Sequence, residues 1–169
     1  MEWIDGIRTS KVNKRVYVTP LSLSLENGEG ASAMIKNGIL NPAILSLLAR
    51  VRHTNLLIIA DRGFPYWNMI ETVDISLVDG IPTVLQVFEA IKSNFDIERI
   101  YMAEEFLKEN PRKALDRIIK IAAGTSIEFE PHDDFKKLAP RAIGLIRTGD
   151  TTQYANMILL SGRSEGESK

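Results

Sequence analysis

The sequence contains no cysteine, which removes disulfides, zinc–thiolate sites and thiol nucleophiles from consideration. Histidine is nearly as scarce: two in 169 residues are too few for a multi-histidine metal centre. Neither charge is in excess, since 21 basic side chains face 22 acidic ones, so no global field draws in nucleic acid or an anionic membrane. No apolar run approaches the roughly 18 residues of a membrane span, and the N-terminus lacks the apolar stretch of a signal peptide. A phosphate-cradling loop is also missing, because Gly28-Glu-Gly30 does not follow a buried-strand pattern. No internal repeat is present. These absences point to a soluble, cytoplasmic protein that uses neither metal nor nucleotide and binds neither nucleic acid nor membrane. The length fits one domain with a full hydrophobic core.

What is present centres on residues 53–61, His53-Thr-Asn-Leu-Leu-Ile-Ile-Ala-Asp61. Leu56 to Ala60 is a continuous apolar run of strand length, the pattern of a strand buried on both faces. Asp61-Arg-Gly-Phe-Pro65 breaks it abruptly, so Asp61 is expected at the strand's carboxyl end, the edge where open α/β sheets bind ligands. His53 follows a helix pattern closely, where the helix dipole favours a protonated imidazole. On this stretch alone the simpler reading is a structural histidine in a helix–strand loop.

Along the chain, Arg15–Thr19 and Leu21–Leu25 alternate like two strands around Pro20. They form either an added hairpin or an unstructured extension. Asn41-Pro42 is a helix start with Asn as N-cap, and Ile44, Leu47, Leu48 and Val51 recur at helical spacing. Strands are expected at Asp74–Val78, Arg99–Ala103, Ser126–Glu130, Ala142–Ile146 and Met157–Leu160. Helices are expected from Pro82, carrying Leu85, Phe88 and Ile91, over Pro111–Ala123 closed by Gly124, and over Asp133–Leu138 with Asp133 as N-cap. Alternating strands and helices predict an α/β fold, a single layered domain with a mainly parallel central sheet flanked by helices. Residues 1–33 read as an extension, 34–162 as the domain and 163–169 as a disordered polar tail.

Polar groups without an evident structural role gather in three places: His53 with Asp61, Pro131-His-Asp-Asp134, and the polar stretch from Arg147 to Asn156. If Tyr154 to Asn156 is extended, phenol and amide share one face and offer groups suited to a polyol. A surface hairpin explains the same stretch equally simply. Phe64, Tyr66 and Trp67 could line a sugar-binding wall or belong to the core.

From about Met34 to Gly162 the chain resembles the D-ribose pyranase / L-fucose mutarotase family. The resemblance is carried in order by Asn37-Gly-Ile-Leu-Asn-Pro42, His53-Thr54 with Ile58-Ile-Ala-Asp61, Asp74-Ile-Ser-Leu77, Pro131-His-Asp-Asp-Phe-Lys136, Ile146-Arg-Thr-Gly149 and Tyr154-Ala-Asn156. It implies a cofactor-free isomerase that interconverts cyclic forms of a monosaccharide. His53 would be the proton donor, and Asp61, His132, Tyr154 and Asn156 would bind the sugar. The fucose branch usually carries Arg where His132 stands, so the chain is more similar to the ribose branch. The family further implies a homo-oligomer, commonly a ring-shaped decamer, with sites shared between subunits. The chain departs from the family in residues 1–33, in Arg52 and Arg62 where small residues are common, in the bulky Phe64–Asn68 segment and in its polar tail. Two further readings stay open: an L-fucose mutarotase, and a non-catalytic sugar-binding or transport-accessory protein.

Overall fold

A computed structural model describes the backbone of residues 2–4, 7–12 and 15–19 and the whole of residues 38–163. Residues 1–36 and 37–169 form two compact units. In the first, β1 (Glu2–Ile4), β2 (Ile7–Val12) and β3 (Arg15–Thr19) form an antiparallel sheet in that order. The strand expected at Arg15–Thr19 is β3. Its expected partner at Leu21–Leu25 lies outside the described residues, and β3 pairs instead with β2, with Ser10 opposite Tyr17.

The second unit opens with α1 (Pro42–Leu48), where Asn41 Oδ1 accepts from the Ala43 and Ile44 amides at 2.9 and 3.1 Å. Two donors that the helix cannot satisfy internally are thereby met. There follow β4 (Leu56–Ala60), β5 (Glu71–Asp74), α2 (Val84–Lys92), β6 (Ile97–Ala103), α3 (Phe106–Glu109), α4 (Arg112–Ala122), β7 (Ser126–Glu130), α5 (His132–Leu138), a 3-10 turn (Ala139–Arg141), β8 (Ala142–Arg147) and β9 (Met157–Ser161). Beta strands 4 to 9 make one six-stranded sheet in the order β5-β8-β4-β9-β6-β7. Its pairings are parallel except along β9, which runs antiparallel to both β4 and β6. The α/β layering and the mainly parallel sheet agree with the sequence.

Every residue of β4 is buried, and the period of two explains why the run is continuous. Leu57 and Ile59 enter a core built with Leu47 of α1, Phe88 and Ile91 of α2, and Ile118 of α4. Leu56, Ile58 and Ala60 enter a second core with Phe64, Phe135 of α5 and Ala139. Each fully buried Leu or Ile contributes about 1.5–3 kcal/mol. No helix among the described residues is long and apolar enough to cross a membrane.

Three local expectations are corrected. The strand expected at Asp74–Val78 lies instead at Glu71–Asp74. Asp74 Oδ1 accepts from the Ser76 amide at 2.9 Å, an Asx turn that ends the strand and leaves Leu77 and Val78 exposed. The helix expected from Pro82 starts at Val84, because Thr83 and Gln86 close a reciprocal capping box; Val84 and Val87, rather than Leu85, join Phe88 and Ile91 in burial. Asp133 is not an N-cap. It sits in the first turn of α5, behind Pro131, where its charge still complements the helix dipole.

Helix α1 lies so close to β8 that a Cβ on Gly144 would stand 2.4 Å from Leu47 Cδ1. Gly144→Ala is expected to destabilise by about 1–3 kcal/mol through overpacking. Leu47→Ala, at a fully buried site, should cost about 2–5 kcal/mol. In urea unfolding the double variant should lose less than the sum, since the added methyl occupies space that Leu47 vacates. Additive losses would contradict this packing.

Candidate active site

The site arises from the route taken between β8 and β9. These strands are consecutive in sequence but flank β4 on opposite sides, so residues 148–156 cross over the carboxyl end of β4. Thr148 is fully buried and donates to the Ala60 carbonyl through its amide at 2.9 Å and its hydroxyl at 2.8 Å. The Arg62 amide donates to the Asp150 carbonyl at 3.2 Å. From beneath, the Arg147 guanidinium donates to the carbonyls of Arg62 and Phe64 at 3.2 and 2.7 Å. The buried Asp150 carboxylate accepts from the amides of Val84 and Thr152 at 2.7 and 2.8 Å, tying the crossover to the start of α2. The chain that follows β4 and the chain that crosses it are thus held as one surface.

On that surface Asp61, His132, Tyr154 and Asn156 line a cavity of about 310 Å³, together with Gly63, Phe64, Pro65, Lys136 and Gln153. Asn156 is buried, and its amide spans Asp61: Oδ1 accepts from the Asp61 backbone N–H at 2.7 Å, and Nδ2 donates to Asp61 Oδ2 at 2.8 Å. The Gly63 amide donates to Asp61 Oδ1 at 2.8 Å. Asp61 is therefore a carboxylate fixed in orientation, and Asn156 is the group that fixes it. Tyr154 is not extended, as the two-residue period assumed; its φ of 57° is left-handed, uncommon for a residue other than glycine. That turn, rather than strand alternation, brings phenol and amide into the same cavity. The Tyr154 ring meets the His132 imidazole edge to face at 5.1 Å.

His132 opens α5. Its helix has no side-chain cap of its own, and the Glu105 carboxylate supplies one by accepting from the His132 amide at 3.2 and 3.1 Å. Desolvation alone would raise the Glu105 carboxyl, but the bonds from its own amide and that of His132 outweigh it and hold the group below its usual range. Burial, reinforced by the Lys136 charge, pushes the His132 imidazole below its usual value against the opposing pull of Glu105, Asp133 and Asp61. Burial and the Lys136 charge both favour the neutral form of the ring. Its Nδ1 is buried without a hydrogen-bond partner among the described residues.

His53 is not in this cavity. It precedes β4, whereas Asp61 follows it, and the five intervening strand residues span about 16 Å. Asp61 therefore does not orient the His53 of its own chain. The last carbonyls of α1 are met locally, Ser46 by the Arg50 side chain, Leu47 by the Arg50 amide and Leu48 by the Val51 amide, each at 3.1 Å, so His53 does not cap that helix either. Half exposed, His53 faces a separate hollow shared with Asn94, Asp96 and Arg163. Of the three aromatics, Phe64 lines the cavity; Trp67 packs on the core and Tyr66 stands exposed. Lys136 and Gln153 were not singled out in the sequence. Lys136 could have been found, because it lies one helical turn beyond His132 on the same face.

Residues 34–163 match the family model described as RbsD / FucU transport protein family. The chain is 42% identical over 131 residues to the D-ribose pyranase of Geobacillus kaustophilus, an alignment covering 78% of this chain and 96% of the relative. Bacillus subtilis RbsD, solved in complex with D-ribose, superposes with a TM-score of 0.72 at 32% identity, over 77% of this chain and 98% of that one. The fucose mutarotase of Streptococcus pneumoniae, solved with L-fucose, shares the fold at 19% identity and a TM-score of 0.63, over 73% of this chain and 93% of its own. With its carboxyl-edge cavity and this match over most of its length, the chain belongs to the RbsD / FucU family.

Proposed function

We propose that the protein is a D-ribose pyranase, a cofactor-free isomerase that opens the sugar's hemiacetal ring and recloses it as a different cyclic form. The observation that carries this reading is the cavity at the end of β4, where the fixed Asp61 carboxylate, the His132 imidazole, the Tyr154 phenol and the Lys136 side chain converge. That set can hold the hydroxyls of a small polyol without a metal. Extensive identity to proteins named D-ribose pyranase supports the choice of sugar.

Ring opening moves two protons. One is delivered to the ring oxygen as its bond to the anomeric carbon breaks, and one leaves the anomeric hydroxyl as the aldehyde forms. Rotation about a carbon–carbon bond then lets another hydroxyl attack the aldehyde, with the same two transfers reversed. His53 is the proton donor in this proposal, and Asp61, His132, Tyr154 and Asn156 form the binding set, Asn156 chiefly by holding Asp61. The separation of His53 from that set supports a site completed by the His53 of a neighbouring subunit. The working form is accordingly a homo-oligomer with shared sites, a cytoplasmic ring assembly of ten chains, with residues 1–33 added to the catalytic unit. Its partner is a monosaccharide, not nucleic acid or a membrane.

Saturation-transfer NMR across a panel of sugars tests the reading directly, and accelerated pyranose–furanose exchange of D-ribose is the expected result. Exchange of L-fucose anomers alone, or of no sugar, would overturn it. His53→Ala should slow ribose exchange by about 10²-fold or more, the usual worth of a general acid, with circular dichroism unchanged. A folded variant as fast as wild type would remove His53 from the mechanism. Exhaustive chelation and dialysis should leave the rate intact, whereas activity restored only by a divalent ion would contradict proton transfer by side chains alone.

A further inference from the structure

The turn that carries His53 is tied down with more care than an ordinary surface loop. Thr54 adopts a φ of 68°, and its amide donates to the Ser161 carbonyl at 3.2 Å. The Asn55 amide donates to Ser161 Oγ at 3.2 Å, and Asn55 Oδ1 accepts from the Arg52 amide at 2.8 Å. Ser161 Oγ in turn donates to the Arg52 carbonyl. The turn is therefore locked to the last residue of β9.

The neighbouring strand is irregular at the same level. Between β6 and β9, Ile97 pairs with Ser161 and Arg99 with Leu160, so Glu98 is an extra residue in the ladder. A bulge of this kind redirects a side chain and is frequent beside active sites. Gly162 makes the close approach possible: its amide donates to the Asp96 carbonyl at 2.9 Å, and a Cβ there would stand 3.3 Å from the Glu98 nitrogen. The redirected Glu98 carboxylate reaches His53, with Oε2 3.9 Å from Nε2. Among the described residues Glu98 makes no other ion pair. The other charged groups around this hollow are Arg52, Lys92, Asp96 and Arg163.

We infer that Glu98 is a positioning residue for the reaction, acting through His53: its carboxylate faces one ring nitrogen as a charge partner, beyond hydrogen-bond distance in the single chain, and leaves the other to deliver the proton. This rests on the assignment of His53 as proton donor. Once the proton is delivered, the negative charge beside the other nitrogen favours the tautomer and ring orientation in which that nitrogen carries the hydrogen. Glu98 itself neither gains nor loses a proton. In an isolated chain both side chains are about half exposed, 48% and 47%, where an ion pair contributes little. Covering of the hollow by a second subunit, as a shared site requires, would remove that screening.

Glu98→Gln keeps the size of the side chain while removing its charge, and its exposed position makes misfolding no obstacle. It should lower kcat for ribose exchange by about fivefold or more while KM is unchanged, because Glu98 acts through His53 and not on the bound sugar. Glu98→Asp should retain more activity than Glu98→Gln. In a His53→Ala background, adding Glu98→Gln should change nothing further. Wild-type exchange of ribose and its loss in His53→Ala establish the underlying assignment independently. Given those, a Glu98→Gln enzyme with wild-type kcat, one changed in KM alone, or a further loss in the His53→Ala background would each overturn the inference.

Discussion

Much of this structure depends on one pair of hydrogen bonds, those by which the Asn156 amide clasps the backbone and side chain of Asp61. They join the end of the central strand to the end of the crossover that returns as β9. The crossover exists because β9 inserts on the far side of β4 and runs antiparallel to it. Had the final strand paired beyond β5 or β7, no chain would pass over Ala60 and Asp61, and the cavity would lack its Tyr154–Asn156 wall. Thr148, Arg147 and Asp150 are all spent on keeping that passage in place, which explains why three polar or charged side chains near it are so little exposed.

The same strand that anchors the cavity separates it from His53. A five-residue buried strand is a rigid spacer, and its two ends cannot be brought together within one chain. The carboxyl end carries the groups suited to holding a polyol, and the amino end carries the imidazole that stands beside a carboxylate on a bulge. In the proposed assembly a heterologous contact, carboxyl end of one subunit against amino end of the next, would join the two kinds of surface, and repetition of such a contact generates a ring when the rotation closes. Exposed apolar side chains along the carboxyl-end loops, Tyr66, Met69, Leu77, Val78 and Ile81, fit a surface that is covered in such an assembly.

The sequence made the layered fold legible because the decisive signals were local. Leu56 to Ala60 reads as a doubly buried strand and Asn41-Pro42 as a helix start, and Gly124 follows a helix whose last cap, Ala123, is already left-handed. Errors fell where one side chain redirects the backbone: Asp74 closing its own strand on Ser76, and Thr83 with Gln86 taking the helix start from Pro82. The direction of β9 was not legible, since pairing partners are set by long-range burial rather than by period. For the same reason the residues of the cavity could be named from their motifs while their geometry could not. Asn156 reads as a sugar ligand and is found clasping Asp61. His53 and Asp61 read as the two ends of one strand, and the structure shows that the buried strand between them keeps them apart.

The central claim is that one chain supplies the cavity and another the imidazole. It is tested most directly by mixing two disabled chains under conditions that let subunits exchange, one carrying His53→Ala and the other both His132→Ala and Tyr154→Ala. The side chains removed from the second are not those that tie the crossover to β4, and circular dichroism of each variant before mixing shows that it is folded. If sites are shared, junctions that join an intact His53 to an intact cavity form at random, and ribose exchange returns to a fraction of the wild-type rate. No recovery at any mixing ratio, or a fully active monomer by sedimentation, would contradict the account.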